Sequence, residues 1–146
     1  MGSGMNTFAP FDKKIPFDMK IRIKGNFVRY RLTQSEVKML GETGCLSEET
    51  RFGPDASQTF VYALEAKEGI DGLRASFDGG KITLYLPAVA AKTWFDEDRV
   101  GFQSDVEVAP GVTLGLLLEK DFACLDNADE DQSDNYPNPN AMCDPK

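Results

Sequence analysis

Residues 19–24 alternate apolar and basic side chains, and residues 28–32 continue the same period of two. This period is typical of a β-strand, in which successive side chains lie on opposite faces. Gly25 and Asn26 separate the two segments and favour a two-residue turn, because both tolerate a positive φ. The pattern therefore predicts a β-hairpin. Its apolar positions are Met19, Ile21, Ile23, Val28, Tyr30 and Leu32.

Thr33 and Glu36 follow the hairpin in the spacing of a capping box, in which the two side chains satisfy free amides at the start of a helix. They predict a short helix directly after the second strand. The helix is expected to bury Val37 and Leu40 and to end near Gly41 or Gly44. Two further strands are expected around residues 46–52 and 58–66.

The same order of elements recurs 54 residues later without a gap. Gly79-Gly80 takes the place of the first turn, and Pro87 is favoured in the first turn of the second helix. Trp94 is expected to fill a core that both units share, since about 50 residues bury too little surface alone. The expected elements of the second unit are strands 74–78 and 81–86, a helix 88–94, and strands 100–108 and 112–120.

These patterns predict an α+β fold that is mostly antiparallel β. Two β-β-α-β-β units, residues 19–67 and 73–121, are expected to form one barrel- or sandwich-like domain with two short helices. The domain spans residues 19–125. Residues 1–18 are interpreted as an expression tag and an irregular arm, and residues 126–146 as an acidic tail rich in Pro and Asn.

The net charge of −8 is concentrated near the end of the chain, where residues 121–146 hold seven acids and one base. The first hairpin, in contrast, is basic. Because side chains alternate along a strand, its five cations share the face opposite the apolar one. These candidate binding residues are Lys20, Arg22, Lys24, Arg29 and Arg31.

Five cations on a two-stranded ribbon favour binding to a phosphate-rich or acidic partner, either nucleic acid or an acidic protein. The acidic tail is such a partner within the chain, and it is expected to fold over the hairpin and regulate it. The alternative is a protein-interaction or structural domain, in which the basic face protects an edge strand and has no ligand. The sequence leaves open whether the protein is a monomer or a homodimer.

No catalytic centre, cofactor or metal is expected. The chain has no histidine, which removes the commonest general base and metal ligand. One enzymatic alternative is a triphosphate-binding tunnel, whose inward carboxylates would come from Glu65, Glu119, Asp105 and Glu107. The acidic run 126–134 lacks the glycine and the final glutamate of a calcium loop.

The chain contains no run of about 20 apolar residues, which a membrane-spanning helix needs. It does not open with a basic and then apolar signal segment. Its three cysteines stand in no metal-site spacing and fit a reducing compartment. We therefore expect a cytoplasmic location and no membrane partner.

Four segments resemble a small bacterial family of unknown function. They are residues 32–37 (LTQSEV), 50–53 (TRFG), 119–125 (EKDFACL) and 137–141 (PNPNA). The resemblance spans most of residues 19–141 and implies no activity. It does imply that the region after Glu119 belongs to the domain.

The segment Gly80–Pro87 also resembles, by topology, the swapped-hairpin barrel units of AbrB- and MraZ-type proteins. In those proteins a Gly-Arg-Ile-x-Ile-Pro stretch leads into the helix, and two units form a barrel. Here Lys81 replaces the arginine and the strand before the proline is two residues longer. The resemblance implies a barrel, but the DNA binding of that family is not carried over to named residues.

Overall fold

The computed structural model describes residues 18–122 together with Asp134 and Tyr136. Within these residues, eight strands and two helices follow each other in the order that the sequence predicts. They are β1 (Lys20–Lys24), β2 (Phe27–Leu32), α1 (Gln34–Thr43), β3 (Cys45–Arg51), β4 (Thr59–Lys67), β5 (Arg74–Asp78), β6 (Lys81–Pro87), α2 (Ala88–Thr93), β7 (Gly101–Ala109) and β8 (Val112–Lys120). Short 3₁₀ turns lie at Ala56–Gln58 and Trp94–Asp96. Residues 1–17 of the expected arm and most of the expected tail lie outside the described residues.

The strands form two four-stranded sheets, with the orders β1-β2-β8-β7 and β3-β4-β6-β5. Every hairpin is antiparallel, whereas the two central pairs, β2 with β8 and β4 with β6, are parallel. Each sheet therefore joins a hairpin from the first half of the chain to a hairpin from the second half. Local alternation predicted the hairpins but not the parallel pairs, which join strands that do not follow each other in the chain: Phe27 pairs with Gly115, and Val61 pairs with Lys81.

Of the two arrangements that the sequence predicts, a barrel or a sandwich, a closed barrel is not formed by the described strands. Closure would need backbone pairing between an edge strand of one sheet and an edge strand of the other, and the described strands contain no such pair. The two sheets instead share one hydrophobic core. Tyr30 meets Tyr62 of the other sheet edge to face, with ring centroids 6.1 Å apart, and the Tyr30 hydroxyl donates to the Ile82 carbonyl at 3.4 Å.

The two helices cover one end of this core, as the apolar positions predicted. Val37 and Leu40 of α1 are fully buried, and so is Trp94 directly after α2. The Trp94 indole nitrogen donates to the Arg99 carbonyl at 2.8 Å, so its one polar atom is satisfied. Neither helix has the length and the apolar composition that a membrane span needs, and this holds for all residues that the structure describes.

α1 begins at the predicted capping box, with Thr33 as the N-cap. The Thr33 amide donates to one oxygen of the Glu36 carboxylate at 2.9 Å, and the Asp18 amide donates to the other. Glu36 is fully buried, and the loss of hydration raises its pKa to about 7. The helix ends at Gly44, whose φ of 84° lies in the left-handed region that favours glycine.

Pairing registers of the first half of the chain recur 54 residues later in the second half. The Lys20–Arg31 pair of β1 and β2 corresponds to the Arg74–Tyr85 pair of β5 and β6. The parallel ladders and the helix starts follow the same offset: Phe27–Gly115 corresponds to Lys81–Val61, and Gln34 corresponds to Ala88. The exception is the last hairpin. The register between β7 and β8 is shifted by two residues from the register that the offset predicts from β3 and β4. In the matched elements, residues 54 positions apart are structural counterparts.

We predict that Glu36→Gln becomes progressively more stable than the unmodified protein as the pH rises. The folded-state pKa of about 7 lies above the ordinary value of 4.5, so the folded state holds the Glu36 proton more tightly than the unfolded chain. The tighter proton binding stabilises the unmodified protein fully below pH 4.5, and this stabilisation is lost as the pH rises through 7. Glu36→Gln has no such proton to lose. The difference in unfolding free energy between the variant and the unmodified protein should therefore shift by about 3 kcal/mol in favour of the variant over this range.

Denaturant unfolding across this pH range measures the effect. Glu49→Gln is the matched control, because Glu49 is an exposed carboxylate on β3 and should show no such trend. A stability difference between Glu36→Gln and the unmodified protein that stays constant with pH would contradict the prediction.

Candidate anion-binding face of the first hairpin

The structure places the five cations of the first hairpin on one face, as the alternation predicted. Lys20 lies directly opposite Arg31, and Arg22 lies directly opposite Arg29, in the antiparallel ladder. Directly opposite residues share a face, and so do alternate residues of one strand, so Lys24 belongs to the same group. We call this surface the basic face; it consists of Lys20, Arg22, Lys24, Arg29 and Arg31.

Two cross-strand pairs of the basic face set a cation against a cation. Like charges directly opposite each other destabilise a sheet, whereas a favourable cross-strand pair contributes roughly 0.2–1 kcal/mol. The Lys20–Arg31 and Arg22–Arg29 pairs therefore depend on nearby negative charge to offset their repulsion. A bound anion would relieve this repulsion.

Two carboxylates at the end of β8 border the basic face. Glu119 Oε2 lies 2.9 Å from Arg31 Nε and 3.6 Å from Arg29 Nη1. Asp121 Oδ2 lies 3.1 Å from Lys20 Nζ. Glu119 reaches the arginines because β8 pairs in parallel with β2, which sets Glu119 beside Arg31. Sequence reasoning missed both partners, because this ladder leaves no local signal.

Arg22 and Lys24 are exposed at the turn end of the basic face. In the part of the chain that the structure describes, neither of them has a carboxylate within salt-bridge distance. Phe27 lies opposite Lys24, and its ring covers Gly115 so closely that a Cβ there would come within 2.5 Å of the ring. An aromatic ring among cations is the combination on which nucleic-acid bases stack.

The outer face of the same sheet is acidic at its opposite edge, along β7. Asp105 and Glu107 of β7 lie opposite Gly115 and Thr113 of β8, so they project from the outer face that also carries Phe27. The outer face therefore has a basic half along β1 and β2 and an acidic half along β7. This division gives a long anion a preferred place on the sheet.

The carboxylates proposed for a triphosphate tunnel do not point inward. Glu65 and Glu119 follow the fully buried Leu64 and Leu118 along their strands, so both lie on outer faces. Among the described residues, no group of three or more Asp, Glu, Cys or His side chains is placed to hold a metal ion. The acidic run 126–134 lies outside the described residues except for Asp134.

Two residues of the expected tail are described, and both contact the body of the domain. The carbonyl oxygen of Asp134 accepts from the Gln34 amide at 3.0 Å, and its carboxylate accepts from the Ser35 amide at 3.3 Å. The Tyr136 amide donates to the Asp121 carbonyl at 2.9 Å. Asp134 thus satisfies free amides at the start of α1, where a negative charge is also favoured.

The counterpart hairpin, β5 and β6, has the same pairing register but few charged residues at the positions equivalent to the basic face. Its positions equivalent to the basic face are Arg74, Ser76, Asp78, Thr83 and Tyr85. One cation and one acid replace five cations, and the Ser76 hydroxyl lies 3.2 Å from the Tyr85 hydroxyl. The fold therefore does not require basic residues at these positions.

Residues 19–140 match the family described as "Family of unknown function (DUF7009)". Neither a curated protein nor a solved structure matches the chain. The family match runs from the first strand into the Pro- and Asn-rich segment and covers far more than half of the 146 residues. It agrees with the resemblance to a small family of unknown function, while the resemblance to AbrB- and MraZ-type proteins stays a prediction. The chain belongs to this family of unknown function.

Proposed function

We propose that this protein is a non-catalytic binding module that holds nucleic acid on its basic face. The observation that carries the proposal is the difference between the first hairpin and its counterpart. Both hairpins have the same pairing register, but only the first concentrates five cations on one face. Because the counterpart hairpin has the same geometry without these cations, an anionic ligand explains their concentration on this face better than the needs of the fold do.

The charges of the face suit a phosphate backbone. Glu119 and Asp121 offset part of the positive charge, and they hold Lys20, Arg29 and Arg31 in ion pairs that an incoming phosphate can replace. The two Glu119 pairs are partly exposed, so exchanging this carboxylate for a phosphate costs little. Arginine also binds phosphate through two parallel hydrogen bonds, and Phe27 offers a ring for stacking.

We also propose that acidic residues of the C-terminal region tune this binding. Support comes from Asp121, which already pairs with Lys20 and so competes for one cation of the face. Its backbone is anchored on both sides, because its amide donates to Leu32 and its carbonyl accepts from Tyr136. Contacts made after β8 therefore influence where this carboxylate lies.

A second candidate function is a protein-interaction module without a ligand at the hairpin. It is favoured by Ile23 and Phe77, which are counterparts on the edge strands β1 and β5 and are 53% and 70% exposed. Exposed apolar side chains beside unpaired strand edges are typical of surfaces that a partner covers.

The matched registers also support the proposal that the two halves arose from one duplicated β-β-α-β-β unit. A common ancestor explains why hairpins, parallel ladders and helix starts share one offset. In that history the basic face was acquired, or kept, by the first half alone.

We expect the full-length protein to bind short fluorescein-labelled oligonucleotides, with an affinity that falls as salt rises. Each cation of the basic face that contacts a phosphate releases a counterion, so the logarithm of the affinity for duplex should fall with the logarithm of salt by about 0.9 for each phosphate contacted. Arg22→Glu/Lys24→Glu should weaken binding at low salt at least about tenfold and flatten this slope. Fluorescence anisotropy over a salt series measures both quantities.

The matched control is Arg74→Glu/Lys81→Glu, which changes the net charge equally on the counterpart hairpin. It should leave the affinity within about twofold. If both double variants lose affinity to the same extent, the attraction is a general charge effect and the basic face is not the site. Binding of an acidic polypeptide but of no oligonucleotide would favour an acidic protein as the partner.

We expect Glu119→Gln to tighten binding to the same oligonucleotides by about three- to tenfold, because it removes a carboxylate that competes with phosphate for Arg29 and Arg31. The lost ion pairs are partly exposed, so the thermal midpoint should fall only slightly. Glu65→Gln changes the counterpart of Glu119 and serves as the control. Unchanged affinity for Glu119→Gln would argue against phosphate contacts by these two arginines.

A further inference from the structure

A cleft lies at the helix end of the domain, between the 3₁₀ turn after α2 and the end of β8. Its volume is about 290 Å³, and its lining includes Phe95, Lys120, Phe122, Tyr136 and the consecutive acids 96–98. At roughly 30 Å³ per molecule, about ten waters would fill this volume. The cleft therefore has room for a ligand of amino-acid size, at the lower limit of small-molecule sites.

Lys120 supplies spare hydrogen-bond donors to this cleft. The residue is only 4% exposed, and its Nζ donates to the Glu97 carbonyl at 2.7 Å. The ammonium also lies 4.8 Å from the centre of the Tyr136 ring and 5.8 Å from that of the Trp94 ring. An ammonium has three N–H donors, and in the described structure only one of them has an acceptor. The counterpart of Lys120 is Ala66, so the fold does not need a cation here.

The Tyr136 hydroxyl is a second unused polar group. Its oxygen is buried and has no hydrogen-bond partner within the described structure. The ring itself is held in place, 5.6 Å from the Phe122 ring in an edge-to-face contact. Buried hydroxyls are normally paired. The unpaired hydroxyl and the spare protons of Lys120 together suit the two oxygens of a carboxylate.

The lining of the cleft also carries the opposite charge. Asp96, Glu97 and Asp98 are exposed and consecutive, so three carboxylates and one ammonium belong to the same lining. Burial lowers the pKa of Lys120, while the charges of Asp98 and Glu97 partly offset this effect. A ligand with only a negative charge would be repelled by these carboxylates, and a ligand with only a positive charge would meet Lys120.

We propose that this cleft binds an α-amino acid or a similar zwitterion with an apolar side chain. The ligand carboxylate accepts from Lys120 Nζ and from the Tyr136 hydroxyl. The ligand ammonium faces the carboxylates at residues 96–98, and the side chain packs against Phe95 and Phe122. The site is separate from the basic face and does not depend on the function proposed for it.

Three small molecules test the charge requirement with the full-length protein. L-Phenylalanine carries both charges, 3-phenylpropanoate lacks the ammonium, and phenethylamine lacks the carboxylate. In a heteronuclear NMR titration we expect L-phenylalanine to give saturable shifts of the amide signals of residues 95–98 and 120–122. Each single-charge analogue should bind at least about tenfold more weakly. The absence of saturable shifts at tens of millimolar, or equal affinity for either analogue, would overturn the proposal.

Tyr136→Phe tests the site without removing the ring that covers Lys120. Loss of the hydroxyl should weaken L-phenylalanine binding by about fivefold, because one hydrogen bond to the charged carboxylate disappears. Tyr85→Phe is the matched control, since it removes a hydroxyl from the other sheet. The thermal midpoint confirms that both variants fold. Equal affinity of Tyr136→Phe and the unmodified protein would exclude the proposed contact and, with it, the site as described.

Discussion

The parallel ladder between β2 and β8 is the contact on which the rest of the structure depends. It joins six consecutive residue pairs, from Phe27–Gly115 to Leu32–Lys120, and so holds the first hairpin against the last. Without it, β1 and β2 would be an isolated two-stranded hairpin, which is marginally stable at best in water. The same register sets Glu119 beside Arg31 and Gly115 beneath Phe27. The fold and the candidate anion-binding face therefore share one cause.

Several buried polar groups are held by backbone atoms. Glu36 accepts from two amides near the start of α1, and Lys120 donates to a carbonyl of the turn after α2. Asp121 is almost fully buried, yet its side chain reaches Lys20 at the edge of the basic face. Burying a charge is costly unless partners satisfy it. These residues tie the ends of strands and helices to one another, and two of them lie at the candidate sites: Asp121 at the basic face and Lys120 in the cleft.

Comparison of the two halves separates residues that the fold requires from residues that it does not require. Positions that are apolar and buried in both halves, such as Leu32 and Leu86, are needed to form the shared core. Positions whose residues differ in chemical type between counterparts are not needed for it. Arg29 has Thr83 as its counterpart, and Lys120 has Ala66, although the local backbone is equivalent. Charge that only one half carries is charge that the architecture does not need.

The sequence by itself determined the hairpins, the start of α1 and most apolar positions of the core, because these follow from alternation, turn residues and capping within a few residues. It left the end of α1 open between Gly41 and Gly44, and it placed Ile23 inward, whereas this edge-strand residue is 53% exposed. It also determined that the five cations share a face. Only the tertiary structure decided that the strands form two open sheets with parallel central pairs. Pairing between strands some 90 residues apart depends on how whole hairpins pack, which no local pattern encodes. For the same reason, the ion pairs of Glu119 and the cleft at Lys120 emerged only when distant segments were brought together.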